Sequence, residues 1–546
     1  MQTFRRIAAV LTFPAIAWLG AACERTDVPT GVAPKPVMQT YGTPDFVVDD
    51  DGMATVADCD APNPTYTMIS AAVAAAGPGD IIKVCPGMYN ESVTIGMPLT
   101  LLGPNVSVSW SGTRGPEASV TSAATTFNVT NGQNVTIDGF TINGAFGVYV
   151  STSSSGTVIE DDIITGTARA VTLDATGSSA SVLNNHLVSD VRSLHVSSGP
   201  YTDMRVNGNG FSGPDGTIFF NGNSSITGFE FENNQVLQYA NLASNITNGA
   251  VTGNTFDAPI GSDLDIQMSL HNSTVTDNTF QGHDVNACFQ LFGSQFLLVP
   301  SHDVTISDNT FSDCGGAAPP WNFAIQLSPD IHHIYITHNR LSNGFEGVNT
   351  RDVTPWDVTG KEIHINVNNI TDNTSFGVRN GQMGTLDAEC NWWGAADGPG
   401  PVGPGSGDNV STNVDFTPWL TAPAPGGSCI GGLGLHGMVT GGGQINVTGG
   451  TGSFGFSAKD QTQSGHLDYM NHVTSAHLNC TVTSVMITPP NKAKLSGPCS
   501  SKNAGGAMSF TADVEDNDKT MDKFTITYGI VVNEGGMIRS GNIQIK

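Results

Sequence analysis

Two histidine–aspartate neighbours, His283–Asp284 and His302–Asp303, are the residues whose types most directly suggest chemistry. A histidine beside a carboxylate can act as a general base or hold a metal. His332, His333, His338 and Arg340 follow downstream. Most of these positions flank turn-like phrases, where polar residues are expected for structural reasons. Asp265, His283, Asp284, His302 and Asp303 are therefore carried as catalytic candidates without a complete catalytic set. No CxxC or HxxxH spacing occurs, so no metal site is assigned. No cofactor is expected, with calcium kept as an alternative.

The element that must position these residues is a repeat. The phrase VTDNTF at 275–280 recurs as VTGNTF at 251–256 and ISDNTF at 306–311. Aligned on it, the turn positions are Asp138, Asp161, Asn185, Asn209, Asn234, Asn254, Asn278, Asn309, Asn339 and Asn368. Their spacings are 23, 24, 24, 25, 20, 24, 31, 30 and 29 residues. A period of about 24 with one short strand phrase per turn indicates a solenoid. Gly and Asn content and the lack of a 3.6-residue period exclude a helical one. Each coil lays its phrase over the last, strands pair in parallel, and stacked Asn side chains satisfy the turn. Val275 and Phe280 should point inward and Thr276 outward.

The opening segment YTMISAAVAAAGPGDIIKVCPGMYNESVTIGMPLTLLG, 66–103, and the closing segment ECNWWGAADGPGPVGPGSGDNVSTNVDFTPWL, 389–420, extend this pattern. With the repeats they resemble the right-handed parallel β-helix proteins of the pectate-lyase-like superfamily, the first as an N-terminal cap, the second as a closing segment. The resemblance covers 47–425. It implies that a ligand would lie along the first strand of each coil. Those strands are read as GVYV, AVTLD, SLHV, TIFF, ANLA, LDIQM, CFQL, AIQL, GVN and GVR. Alternation then places Tyr149, Thr172, Asp174, His195, Phe219, Asn241, Asp265, Gln267, Gln290, Gln326, Asn349 and Arg379 outward. From Asp265 on the row is amide-rich, which suits sugar hydroxyls because an amide both donates and accepts. Long coils add Phe296, Trp321 and Trp356, either as platforms for sugar rings or as covers for the core edge. The ligand-binding set is Gln267, Gln290, Gln326, Asn349, Arg379, Trp321 and Trp356.

Enzyme signatures of the superfamily are incomplete. Glycosidases hold two carboxyl groups about 5–9.5 Å apart. Asp174 and Asp265 lie four coils apart, about 19 Å at the strand spacing. Glu160, Asp161 and Asp162 fall on the turn corner rather than the groove. Basic residues of the groove are few: Arg379, with Arg351 and Lys361 nearby. The resemblance to pectin esterases ends with the cap.

Residues 1–23 read as an export signal, with Arg5 and Arg6 before an apolar run. The ending LGAAC resembles a bacterial lipoprotein box with Cys23 as the lipidated residue; plain cleavage near Ala21 or Ala22 is the alternative. Residues 24–46 and 426–438 are linkers. After the N-terminus no apolar run is long enough to span a membrane. Eight further cysteines suit an oxidising compartment. Neighbours in sequence suggest Cys59–Cys85, Cys288–Cys314, Cys390–Cys429 and Cys480–Cys499. Residues 439–546 alternate as short strands and are expected to form a β-sandwich. Its cluster Asp513, Glu515, Asp516 and Asp518 is read as a solvated turn, with a calcium loop as the alternative.

The fold class expected is all-β: a right-handed parallel β-helix of about 10–12 coils followed by a small β-sandwich. With 48 acidic and 21 basic residues the formal charge is −27. Such a surface repels nucleic acid, and anionic polysaccharides unless cations bridge them. The expected protein is an exported monomer at the outer membrane or cell surface, held by a lipid anchor, or otherwise secreted. Its expected role is recognition of an extended carbohydrate. The alternatives are a polysaccharide hydrolase or lyase acting from the loops of coils seven to nine, and a structural adhesin that binds protein.

Overall fold

The computed structural model describes residues 41–546 apart from 152–153, 176–178, 198, 214–216, 223, 238, 258–265, 284–286, 295–298, 316–321, 351–354, 428, 430–437, 460–463, 489–491, 503–506, 518–521, 530–531 and 546. Among the described residues no helix is long and apolar enough to cross a membrane. The first part of the chain is a right-handed parallel β-helix, the hand that parallel crossovers take. Coil pairs with coil in parallel. One inward column runs Ile137, Ile159, Val182, Val206, Phe231, Val251, Val275, Ile306, Ile336 and Ile365. Every one of these side chains is fully buried. Period-2 alternation produces this: each short strand offers one apolar face, and stacking at about 4.8 Å converts the faces into one core.

The helix Ile69–Ala75 buries Ile69, Ala72 and Val73 in that same core. Glu91 accepts hydrogen bonds from the Ile69 and Ser70 amides, at 2.7 and 2.9 Å. The helix thus belongs to the first coils, where a solenoid must cover its apolar end. Aromatic stacking reinforces the interior. The Phe280 ring lies 4.7 Å from Phe256 and 4.5 Å from Phe311, with near-parallel planes.

The repeated Asn forms a continuous ladder. In Asn278, the side-chain amide donates to the Val251 and Thr276 carbonyls and to Asn309 Oδ1, each at 2.9 Å. Its Oδ1 accepts from the backbone and side-chain nitrogens of Asn254. The same pattern runs from Asn185 through Asn209, Asn234, Asn254, Asn309, Asn339 and Asn368 to Asn391. Two of the expected turn positions are displaced. Asp161 is not a rung: it holds φ +54°, the left-handed conformation that Asn184, Asn233 and Asp277 also adopt one place before their rungs. The rung is Asp162, whose amide donates to Asn185 Oδ1 at 2.9 Å and whose Oδ1 accepts from the Phe140 amide at 2.7 Å. Phe140, not Asp138, occupies the ladder position in the coil before. Gly208 shows what the preceding position demands: φ is +72°, and a Cβ would meet Asn184 Oδ1 at 2.4 Å.

Disulfides join Cys59 to Cys85, Cys288 to Cys314, Cys390 to Cys429 and Cys480 to Cys499. The C-terminal strands, from Met438–Val447 to Val532–Ile545, form a separate antiparallel sheet. The all-β module expected here is present, and its sheet closes into an eight-stranded barrel instead of two packed faces. Closure depends on the long strand Lys492–Lys502. Its first half pairs with Ser484–Thr488, and its second half pairs with His477–Cys480. Met438–Val447 meanwhile pairs with the final strand. A closed ring leaves few open edges. Phe454, Phe456 and Phe524 stack in its core.

Candidate functional site

The first strands of successive coils stack into one register. Its inward members Val148, Val171, Leu194, Ile218, Ala240, Ile266, Phe289, Ile325, Val348 and Val378 are fully buried. The residue after each faces the other way. This gives a row of Tyr149, Thr172, His195, Phe219, Asn241, Gln267, Gln290, Gln326, Asn349 and Arg379. The row divides into two halves of different character.

The later half is covered. Gln290, Gln326 and Asn349 are buried. Gln290 Nε2 donates to Gln326 Oε1 at 2.9 Å and to Ser328 Oγ at 3.3 Å. Asn349 Nδ2 donates to Glu346 Oε2 at 2.8 Å, and Arg379 Nη1 lies 3.6 Å from Glu346 Oε1. These three amides, expected to face a ligand, are therefore turned to one another and to Glu346. Glu346 is itself only 2% exposed. Sequence reading missed it because it begins its strand, three residues before the row position.

The earlier half is more open. Phe219, Asn241 and Gln267 are half-buried on three adjacent coils. Asn241 Nδ2 donates to Gln267 Oε1 and to Tyr239 Oη, both at 3.0 Å, and the Tyr239 hydroxyl donates to Gln267 Oε1 at 2.9 Å. Tyr149 Oη donates to Asp174 Oδ2 at 2.8 Å, and Ser197 Oγ donates to Asp174 Oδ1 at 2.7 Å. Burial, then the Asp174 carboxylate, pushes the Tyr149 hydroxyl pKa up. Beside this row stand Arg169 and Arg192, direct register partners. The Arg192 Cζ lies 4.0 Å from the centre of the Phe219 ring, and the Arg169 Cζ lies 5.7 Å from that of Phe146. His195 is pushed down to about 4, by burial first and then by the two guanidiniums. Neither arginine had drawn notice in the sequence. Strand register shifts between Gly166 and Arg169 and again between Arg192 and Leu194, so simple alternation passes over both.

The histidine candidates sit elsewhere on the coil. His271, His302 and His332 stack at the corner that follows the first strand, with ring centres 4.7 and 5.1 Å apart. Asp303 accepts from both His302 and His333, at 2.7 and 3.0 Å, and holds φ +54°. His283 is paired with Asp257 at 2.6 Å. His302 and His333 thus share Asp303, and His283 is held by Asp257, while both ring nitrogens of His271 are buried without a hydrogen-bond partner among the described residues. Trp356 is 5% exposed and packs in the core, so it covers the core edge and offers no platform. In the C-terminal acidic cluster, Glu515 lies 2.9 Å from Lys523 and Asp516 accepts from the Ile545 amide. Among the described residues no group of three His, Cys, Asp or Glu side chains converges as metal ligands would. Asp265, Asp284, Trp321, Phe296, Arg351, Asp518 and Cys23 lie outside the described residues. Asp174 and Glu346 share the first-strand face but stand seven coils apart, about 34 Å at the strand spacing. They cannot act as an acid–base pair.

No protein-family model and no curated protein matches this sequence. Among solved structures, one likeness is to the catalytic unit of a thermostable GH87 alpha-1,3-glucanase from Streptomyces thermodiastaticus. It has 16% identity over 69% of this chain and 70% of that one, with a TM-score of 0.35. A second is to the enzymatically active domain of tailspike protein 2 of bacteriophage CBA120, at 10% identity over 91% and 79%, with a TM-score of 0.27. A third is to a pectin methylesterase of Erwinia chrysanthemi, at 15% identity over 44% and 81%, with a TM-score of 0.21.

Proposed function

We propose that this protein binds an extended carbohydrate laid across the first-strand face, with its main contacts on the coils of His195 through Gln267. The observation that carries this reading is the half-exposed run Phe219, Asn241 and Gln267, three coils in one register. An aromatic ring offers an apolar face to a sugar ring, and the neighbouring amides and the Tyr239 hydroxyl offer donors and acceptors for its hydroxyls. A polymer of regular repeat suits such a surface because the coils repeat along the same direction.

The second reading, glycan cleavage, draws on one observation: a deeply buried carboxylate, Glu346, on the same face beside Arg379. A buried carboxylate held beside a cation is a recurrent arrangement at catalytic sites. One experiment separates the two. The protein is incubated with neutral and acidic polysaccharides, with and without calcium, and scored for retention, new reducing ends and unsaturated products. Retention that Phe219→Ala weakens at least about tenfold, about 1.4 kcal/mol, supports binding. New ends lost in Glu346→Gln replace the binding reading with the enzymatic one. Neither retention nor products would sink both and favour the protein-binding adhesin.

A further inference from the structure

Arg169 and Arg192 are held side by side on adjacent coils. As register partners on adjacent parallel strands, their backbones are about 4.8 Å apart. Arg114 lies 2.8 Å from Glu117, Arg205 lies 3.1 Å from Glu230, and Arg379 lies 3.6 Å from Glu346. Arg169 and Arg192 have no carboxylate within ion-pair distance among the described residues. This is notable in a chain with 48 acidic side chains and 21 basic ones. Two like charges this close repel, and aromatic contact with Phe146 and Phe219 fixes the guanidiniums without neutralising them. Partial burial and the Arg169 charge push the Arg192 pKa down. The nearest acidic group of the row, Asp174, accepts hydrogen bonds from Tyr149 and Ser197.

A second observation comes from further along the same two strands. Thr172 and His195 are neighbours in the row, at 1% and 6% exposure. Thr172 Oγ1 and His195 Nδ1 are both buried without a hydrogen-bond partner among the described residues. Unpartnered buried polar atoms are uncommon enough to need a reason. Here they lie in the row beside two cations that have no ion-pair partner among the described residues, and His195 adds no third charge.

We propose that Arg169 and Arg192 form a subsite for an acidic substituent of the bound glycan, an oxyanion carried on a sugar ring as a carboxylate or a sulfate ester. The inference rests on the reading of this face as a carbohydrate site and names the sugar class it takes. Paired guanidiniums present forked donors that match either oxyanion. It also revises an expectation from the net charge of −27: an anionic glycan meets a local positive patch on an otherwise acidic surface.

The test uses the protein and isothermal titration with three oligosaccharides of equal length: a neutral galactan, a sulfated galactan and a glucuronate-containing chain. An acidic probe is expected to bind at least about tenfold more tightly than the neutral one, with the advantage shrinking as salt rises. Arg169→Gln with Arg192→Gln should bring that ratio to about one, while Arg205→Gln, on another face, leaves it intact. Preference for the uronate or the sulfated probe identifies the oxyanion. Neutral and acidic probes binding equally, or a preference that survives the double substitution, would overturn the subsite while the carbohydrate face stands. Absence of binding by all three probes, in a protein whose thermal unfolding is normal, would overturn both.

Discussion

The corner ladder and the first-strand face use the same stacking geometry and much the same side chains, yet they do opposite things. On the corner, Asn185 to Asn391 are buried, and each amide up to Asn368 bonds to backbone and to the next rung. On the face, Gln290 and Gln326 bond to each other, Asn241 and Gln267 bond to a tyrosine hydroxyl, and Arg169 and Arg192 bond to no acid among the described residues. A repeated amide is therefore structural when its partners are backbone groups that would otherwise be orphaned. It is available for recognition when, as at Asn241 and Gln267, it is half-exposed and its partners are side chains that can be exchanged for a ligand. The type and spacing of the residue are the same in both cases, and the partner decides the role.

The sharpest way to break this comparison is to remove one amide from each side. Asn278→Ala leaves the buried Asn254 backbone amide without its acceptor and removes the side-chain bonds to the Val251 carbonyl, to the Thr276 carbonyl, which keeps the Gly253 amide, and to Asn309 Oδ1, which keeps the Asn278 backbone amide. It should cost about 2 kcal/mol or more in denaturant unfolding, since an orphaned buried group costs about 1–3 kcal/mol and the lost bonds add to it. Gln267→Ala should change stability by less than about 1 kcal/mol and be felt in glycan binding instead. Equal losses at the two positions would erase the distinction.

A smaller effect sharpens it at the ladder's first rung. Asp162 is fully buried, and burial raises its pKa well above the ordinary 3.8, against the pull of the Phe140 amide. Its Oδ2 has no hydrogen-bond partner among the described residues. By register the acceptor for an amide there is the Ile137 carbonyl, as Ile159 is for Asn185. Below pH 3.8 the folded and unfolded chains both carry the Asp162 proton, and the group is neutral to stability. As pH rises above 3.8 the unfolded chain ionises while the folded chain does not, and stability is lost. Asp162→Asn removes that loss. It should stabilise by about 1 kcal/mol or more at pH 8 and by little near pH 4, read from thermal unfolding at both. A destabilised variant at pH 8 would show that Asp162 is not acting as a rung.

How much of this was legible in the sequence follows from the same distinction. The ladder could be read because every coil imposes the same demand and so writes the same phrase. It slipped at its first two positions: Asp161 stood for Asp162, where two aspartates adjoin and a one-residue choice has no local signal, and Asp138 stood for Phe140, where the coil carries no Asn at the rung. The first-strand row could be read because alternation survives from Tyr149 to Arg379. Burial of Gln290, Gln326, Asn349 and Trp356 could not, because alternation places a side chain on a face without saying whether that face is covered. Closure of the C-terminal sheet was hidden for a similar reason: alternating strands look alike in a sandwich and in a barrel, and only the non-local pairing of Cys480 with Cys499 and their neighbours distinguishes them. Arg169 and Arg192 were obscured twice, by register shifts that break alternation and by a net charge that describes the whole surface and not one patch.

The most direct test of the central claim is a crystal structure of the protein with whichever oligosaccharide it retains best. The account predicts a sugar chain crossing coils over Phe219, Asn241 and Gln267, with any acidic group between Arg169 and Arg192. A sugar bound instead at the His271–His302–His332 corner, or in the C-terminal barrel, with the first-strand face bare, would contradict it.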